Sequence, residues 1–255
     1  ACLLSKRSDL VFVCPHSENV YIFNFSREKL FQSTLTPHMR APNGLAVIRD
    51  WALTFDMDGC LAQWHINRKG LTLQHKIFIP GANFTQMASS RHLGVCAAAT
   101  LSSRLVLVTV PKFHVFMNLE FAERPKIIQK VVICDLSCVV VVFYSSEKEQ
   151  KAVSYTLGGE LVAQGSYDFK VLDGVAFVDP SFVDTIAITT SDNQLCLLDS
   201  MTLAVKQVLF STGLPLRQIV YHDDSQNIVV LTGDNTLIAV PLGLVQFVRQ
   251  RRLSG

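Results

Sequence analysis

The feature that most constrains this chain is a phrase that returns. "SDNQLCLLDSMTLAVKQVLF", from residue 191, has a polar turn, a short apolar strand, a break at Asp199-Ser200 and a second strand. The same form recurs as "SENVYIFNFSREKLFQSTL" from 17, "MDGCLAQWHINRKGLTLQHKI" from 57, "LSSRLVLVTVPKFHVFMNLEF" from 101 and "GDNTLIAVPLGLVQFVRQRRL" from 233. A looser copy, "SSEKEQKAVSYTLGGELVAQG", starts at 145. The residues opening the first strand of each copy, Asn19, Gly59, Arg104, Lys151, Asn193 and Asn235, are separated by 40, 45, 47, 42 and 42 positions. Two further strand-like runs precede each copy, such as "LRQIVYHD" from 216 and "NIVVLTG" from 227, so each repeat supplies four strands.

A repeat of this length in four strands is the period of a propeller blade. One such sheet cannot bury both its faces, so blades stack and each covers its neighbour. Runs such as "VVVVFY" and "IAITT" lack strict alternation, as strands sandwiched between sheets do. The expected fold is therefore all-β: a propeller of four-stranded antiparallel blades at about 1–36, 44–78, 83–121, 125–166, 173–210 and 214–253, in one domain over residues 1–255. Asp192-Asn193 should form the hairpin turn between the second and third strands, because Asn and Asp tolerate left-handed conformations. "GLVQFVRQRRL" from 243 has some helical spacing, but its place in the repeat predicts an outer edge strand.

Hydrophobic residues make up 49% and charged residues 17% of the 255 positions, enough for a large core. A formal net charge of +2, with both signs interspersed, gives no electrostatic footprint for nucleic acid. The longest apolar run, "VVICDLSCVVVVFY", is interrupted by Asp135 and Ser137, and no transmembrane segment is expected. Seven cysteines, at 2, 14, 60, 96, 134, 138 and 196, lie mostly in strand-like runs. Reduced, buried thiols and a cytoplasmic setting follow as expectations.

Residues that could carry chemistry each have a simpler structural use. Cys134 and Cys138 are four apart, but no second ligand pair completes a zinc site. "DMDG" at 56–59 starts like a calcium loop but lacks the later acidic ligands, which favours a hairpin turn. Cys14 and His16 are neighbours without an orienting third group. Gly158-Gly159 precedes a strand and reads as a turn rather than a phosphate cradle. The inner-strand segments "ACLLS", "GLAVI", "FTQMA", "IIQKV", "GVAFV" and "RQIVY" carry almost no acidic or histidine side chains to converge on a central channel. No catalytic residue, metal or cofactor is expected. Arg249, Arg251 and Arg252 form a basic cluster that could touch an acidic partner or anionic lipid, although a solvated edge is the simpler reading.

With Leu198-Asp199 in the place of a Trp-Asp pair, the pattern resembles a degenerate WD repeat. Only Trp64-His65 retains the tryptophan, and no copy has a Gly-His pair. The Asp-His-Ser-Trp hydrogen-bond network of regular WD blades is therefore expected to be missing. A narrower resemblance covers 125–165: Pro125-Lys126 before a strand, Cys138 where a turn glycine stands, valines before Phe143-Tyr144, and Gly158-Gly159 at the return. This blade is similar to those of the carboxy-terminal propeller of BEACH-domain proteins.

The resemblance implies a non-catalytic scaffold propeller of a larger protein in vesicle and membrane traffic, binding other proteins and peripheral on endosomal or vesicle membranes through its parent. A membrane-coat or nuclear-pore propeller is the alternative reading, and an enzyme or sugar-binding propeller a weaker one. The start at Ala1, within a strand-like phrase, suggests a piece of a longer chain. Closure of the ring by a seventh blade, or by strands against a BEACH-like domain before Ala1, is expected. Leu3, Leu10 and Phe12 at one end and Ile228, Val230 and Leu237 at the other are judged too apolar to face water.

Overall fold

The computed structural model describes residues 2–4, 7–13, 19–24, 29–35, 38, 40–67, 70–121, 125–147, 149–222 and 225–242. Every element assigned among them is a β-strand, twenty-three in all. They form six antiparallel sheets in which sequence neighbours are also sheet neighbours. The first three sheets are β1–β4 (Cys2–Leu4, Arg7–Val13, Asn19–Asn24, Lys29–Leu35), β5–β8 (Gly44–Ile48, Trp51–Phe55, Cys60–Asn67, Gly70–Phe78) and β9–β12 (Phe84–Ser90, Val95–Thr100, Arg104–Thr109, Val115–Glu120). The fourth and fifth are β13–β16 (Ile127–Cys134, Val139–Ser145, Gln150–Thr156, Leu161–Tyr167) and β17–β20 (Val171–Val178, Asp184–Thr190, Gln194–Asp199, Val205–Ser211). The sixth has three strands, β21–β23 (Leu216–His222, Asn227–Thr232, Leu237–Pro241). Its expected fourth strand in 243–253 lies outside the described residues, as do Arg249, Arg251 and Arg252.

The chain divides into two compact units, Ala1–Val131 and Val132–Gly255. In the first, β5–β8 is covered on both faces. Ile48, Leu53, Phe55 and Leu61 pack on Phe84, Cys96, Ala98 and Val106 of the following sheet. Ala52, Ala62, Trp64 and Ile66 pack around Ile22 of the preceding one. In the second unit β17–β20 is covered likewise. Ile186, Ile188, Cys196 and Leu198 meet Val139, Val141 and Phe143. On the opposite face Ala187 and Leu195 meet Leu216, Ile228 and Val230.

This double coverage explains the continuous apolar runs. All seven residues of β18, "DTIAITT", are buried, because side chains on both of its faces meet protein. In β12, "VFMNLE", the fourth strand of its sheet, every second residue faces water instead. Ile228 and Val230 are fully buried against the fifth sheet, but Leu237 is 67% exposed. The expectation that all three shun water is thus corrected for Leu237, which stands at an exposed position of the alternating strand β23. The side chains of Leu3, Leu10 and Phe12 lie outside the described residues.

The turns follow the residues that write them. Asn193 joins β18 to β19 at φ 61, and Asn235 precedes β23 at φ 68. Cys138, standing in the place of a turn glycine, has φ 54. Gly59 has φ 95, and a Cβ there would lie 2.3 Å from the carbonyl oxygen of Ile79. Only glycine fits that position. No helix among the described residues is long and apolar enough to cross a membrane.

Candidate functional site

Sequence spacing left one polar cluster unseen. His38 precedes β5, Thr54 lies on β6, Asp56 opens the following turn and Trp64 lies on β7. All four are buried. Trp64 Nε1 donates to Thr54 Oγ1 at 2.9 Å. The same hydroxyl lies 2.7 Å from His38 Nε2, and His38 Nδ1 lies 3.0 Å from Asp56 Oδ2. One proton arrangement satisfies every group: indole N–H to hydroxyl, hydroxyl to Nε2, and Nδ1–H to carboxylate. The remaining carboxylate oxygen, Oδ1, accepts the amides of Asp58 and Cys60, each at 2.9 Å.

The expectation that no blade holds such a network is therefore corrected. Threonine stands where the pattern has serine, and a histidine without a preceding glycine completes it from the segment before the strand. The usable signal was the separation of Thr54, Asp56 and Trp64 across one hairpin, with a histidine upstream of β5. "DMDG" is the turn it was expected to be, since Asp56 closes it through those two amides and Asp58 pairs with Arg40 at 3.1 Å.

Hydroxyl, imidazole and carboxylate in series also describe a nucleophilic triad. Here the order is the same but the use differs. Thr54 is fully buried and its oxygen already accepts the Trp64 indole, so no carbonyl can approach it. Burial holds the His38 pKa below its ordinary value, against the opposing pull of Asp56, and the neutral ring is the form that the proton arrangement requires.

His38, Asp56 and Cys60 also offer three ligand atoms within 4.8 Å of one another. The imidazole and carboxylate are already satisfied by each other and by Thr54 and two amides. Burial and the nearby Asp56 carboxylate push the Cys60 thiol up to about 11, away from the thiolate that a metal needs. These donors fit a hydrogen-bonded core better than an ion.

Of the five cysteines whose side chains are described, Cys60, Cys96, Cys134 and Cys196 are buried and Cys138 is half-buried. The reading of Cys134 and Cys138 as two core residues is thus corrected for Cys138, whose place at the tip of a hairpin leaves it partly open. Cys14 and His16 lie outside the described residues. Asp173, on β17, accepts the amide of Ile219 from β21 at 3.0 Å and thereby ties two sheets together. Gly159, at φ 91, turns the chain between β15 and β16.

Among the described residues these polar groups close turns or join strands. No family model matches the chain, and no curated protein matches it.

Proposed function

We propose that this chain is a WD-type β-propeller and that it serves, without catalysis, as a protein-interaction scaffold within a larger BEACH-type protein of vesicle and membrane traffic. The observation that carries the WD reading is the buried Trp64–Thr54–His38–Asp56 network, set in one sheet of a six-fold repeat of antiparallel sheets. A network of this type locks a strand hairpin to the segment before it, and rigid sheets of this kind hold turns in fixed positions for partners. The BEACH assignment rests on the resemblance of residues 125–165, and the traffic role rests on that assignment.

The test is proximity labelling. With a biotin ligase fused to the chain, this reading expects labelled proteins to be enriched in components of endosomes and transport vesicles. Enrichment of nuclear-pore or coat components instead would overturn it in favour of the alternative scaffold.

A further inference from the structure

We infer that the second unit carries a docking surface for a polypeptide segment that combines basic and apolar side chains, formed by four turns at one end of its fourth and fifth sheets. This inference deepens the scaffold reading and rests on it.

Register places the four turns together. In the fifth sheet Val178 pairs with Asp184, Thr185 with Asp199 and Leu198 with Val205, so the turns 179–183 and 200–204 share an end. In the fourth sheet Val139 pairs with Thr156 and Tyr155 with Leu161, which brings the turns 135–138 and 157–160 to one end also. The two ends are joined directly. Asp184 Oδ2 accepts both the amide of Ser137, at 2.5 Å, and its hydroxyl, at 2.7 Å.

These turns display apolar side chains where polar ones are usual. Phe182 is 83% exposed and Leu136 57% exposed, and Leu161, Val183 and Met201 are exposed beside them. Phe182 also has φ 58, a conformation that a bulky side chain rarely adopts. The backbone is held there. Asp179 Oδ1 accepts the amides of Ser181 and Val183, Asp179 Oδ2 accepts the Thr185 hydroxyl, and the Asp179 carbonyl accepts the Phe182 amide. The turn at 200–204 is clasped in the same way, with Asp199 Oδ1 accepting the amides of Met201 and Thr202. An exposed aromatic on a strained, fixed turn is costly to keep for packing alone, and it suits an anchor presented at low entropic cost.

Charge selects the partner. The same turns and strand ends carry Asp135, Glu160, Asp179 and Asp199, with Asp184 buried beneath them, against Lys206 alone, which is paired with Asp199 at 3.0 Å. Asp184 Oδ1 is buried without a hydrogen-bond partner. An acidic rim around apolar anchors repels anionic membranes and nucleic acid and favours a basic, apolar peptide.

The test uses the whole chain and, as probe, a phage-displayed library of random peptides. Enriched peptides are expected to combine Lys or Arg with Leu, Phe or Trp. Their synthetic forms should lose affinity about tenfold on the variant Leu136→Ser/Phe182→Asn and bind less tightly as salt rises. Because Glu160 is exposed, Glu160→Lys leaves the fold intact and should also weaken binding, which gives a readout if the double variant fails to fold. Peptides that bind both variants as tightly as the parent would overturn this site and leave the scaffold reading standing. An acidic consensus would overturn the charge argument. If no peptide is enriched, the docking surface fails, while the scaffold reading still stands or falls on the proximity labelling.

Discussion

Trp64 and His38 meet at a single oxygen: the indole N–H lies 2.9 Å and the imidazole Nε2 2.7 Å from Thr54 Oγ1. Thr54 is therefore the hinge of the buried network. Replacing Thr54 with Val keeps the shape and removes the oxygen, leaving a buried donor and a buried acceptor without partners. Each such group costs about 1–3 kcal/mol, so Thr54→Val should lower stability by about 2–6 kcal/mol. Thr54→Ser, which keeps the hydroxyl, should lose far less. Urea unfolding of the three proteins checks this, and equal midpoints for the parent and Thr54→Val would contradict it.

The network also sets a pH dependence. His38 is held below its ordinary value near 6.5 by burial, so as pH falls through that value the unfolded chain takes up a proton that the folded one resists. Unfolded chains then bind more protons, and stability falls on acidification from about pH 7 downward, by at most about 1.4 kcal/mol per pH unit for one group. His38→Gln should be less stable at neutral pH and show a shallower slope between pH 7 and pH 5. Denaturant midpoints across that range provide the measurement.

Gly59 has a positive φ and no room for a methyl group, because a Cβ would sit 2.3 Å from the backbone oxygen of Ile79. A backbone atom cannot swing aside as a side chain can. Gly59→Ala should cost about 2–3 kcal/mol. Gly81→Ala is the useful comparison, since nothing lies within 4 Å of its Cβ position and only the conformational strain remains. A loss at Gly59 no greater than that at Gly81 would show that the contact is relieved.

Phe182 predicts a change of the opposite sign. Asn tolerates the left-handed region better than Phe, and the lost ring is largely exposed. Phe182→Asn should raise stability by roughly 1 kcal/mol or less. A drop in the thermal midpoint would mean that the ring packs against something, which would weaken its role as an anchor.

Thiol reactivity should divide the cysteines by position. Burial pushes the thiols of Cys60 and Cys196 up to about 11, with nearby carboxylates adding to the effect, and raises those of Cys96 and Cys134 as well. Half-buried Cys138 should be labelled by a disulfide reagent before any of these four in the native protein. Mass mapping of the first modified peptides is the check, and modification of Cys96 or Cys134 ahead of Cys138 would refute the order.

What the sequence determined by itself was the repeating part of the molecule. Strand identity follows from local preference: β-branched runs such as Val139–Val142 extend, and Asn193 and Asn235 turn the chain. Neighbouring segments joined by short turns can pair only as antiparallel meanders, so sheet order followed from spacing as well. The buried network was not legible in this way, because its members come from a segment before β5, from β6, from a turn and from β7. No periodicity links a histidine at 38 to a tryptophan at 64; the folding of the segment before β5 onto the β6–β7 hairpin brings both to one hydroxyl. The acidic, apolar end of the second unit has the same origin. Leu136 and Phe182 are ordinary turn residues in sequence, and the turns that carry them are joined because Asp184 accepts from Ser137 across two sheets. Pairing between adjacent strands is decided by residues a few positions apart, whereas side-chain contacts between sheets depend on which faces stack, and that is settled only when the whole chain has folded.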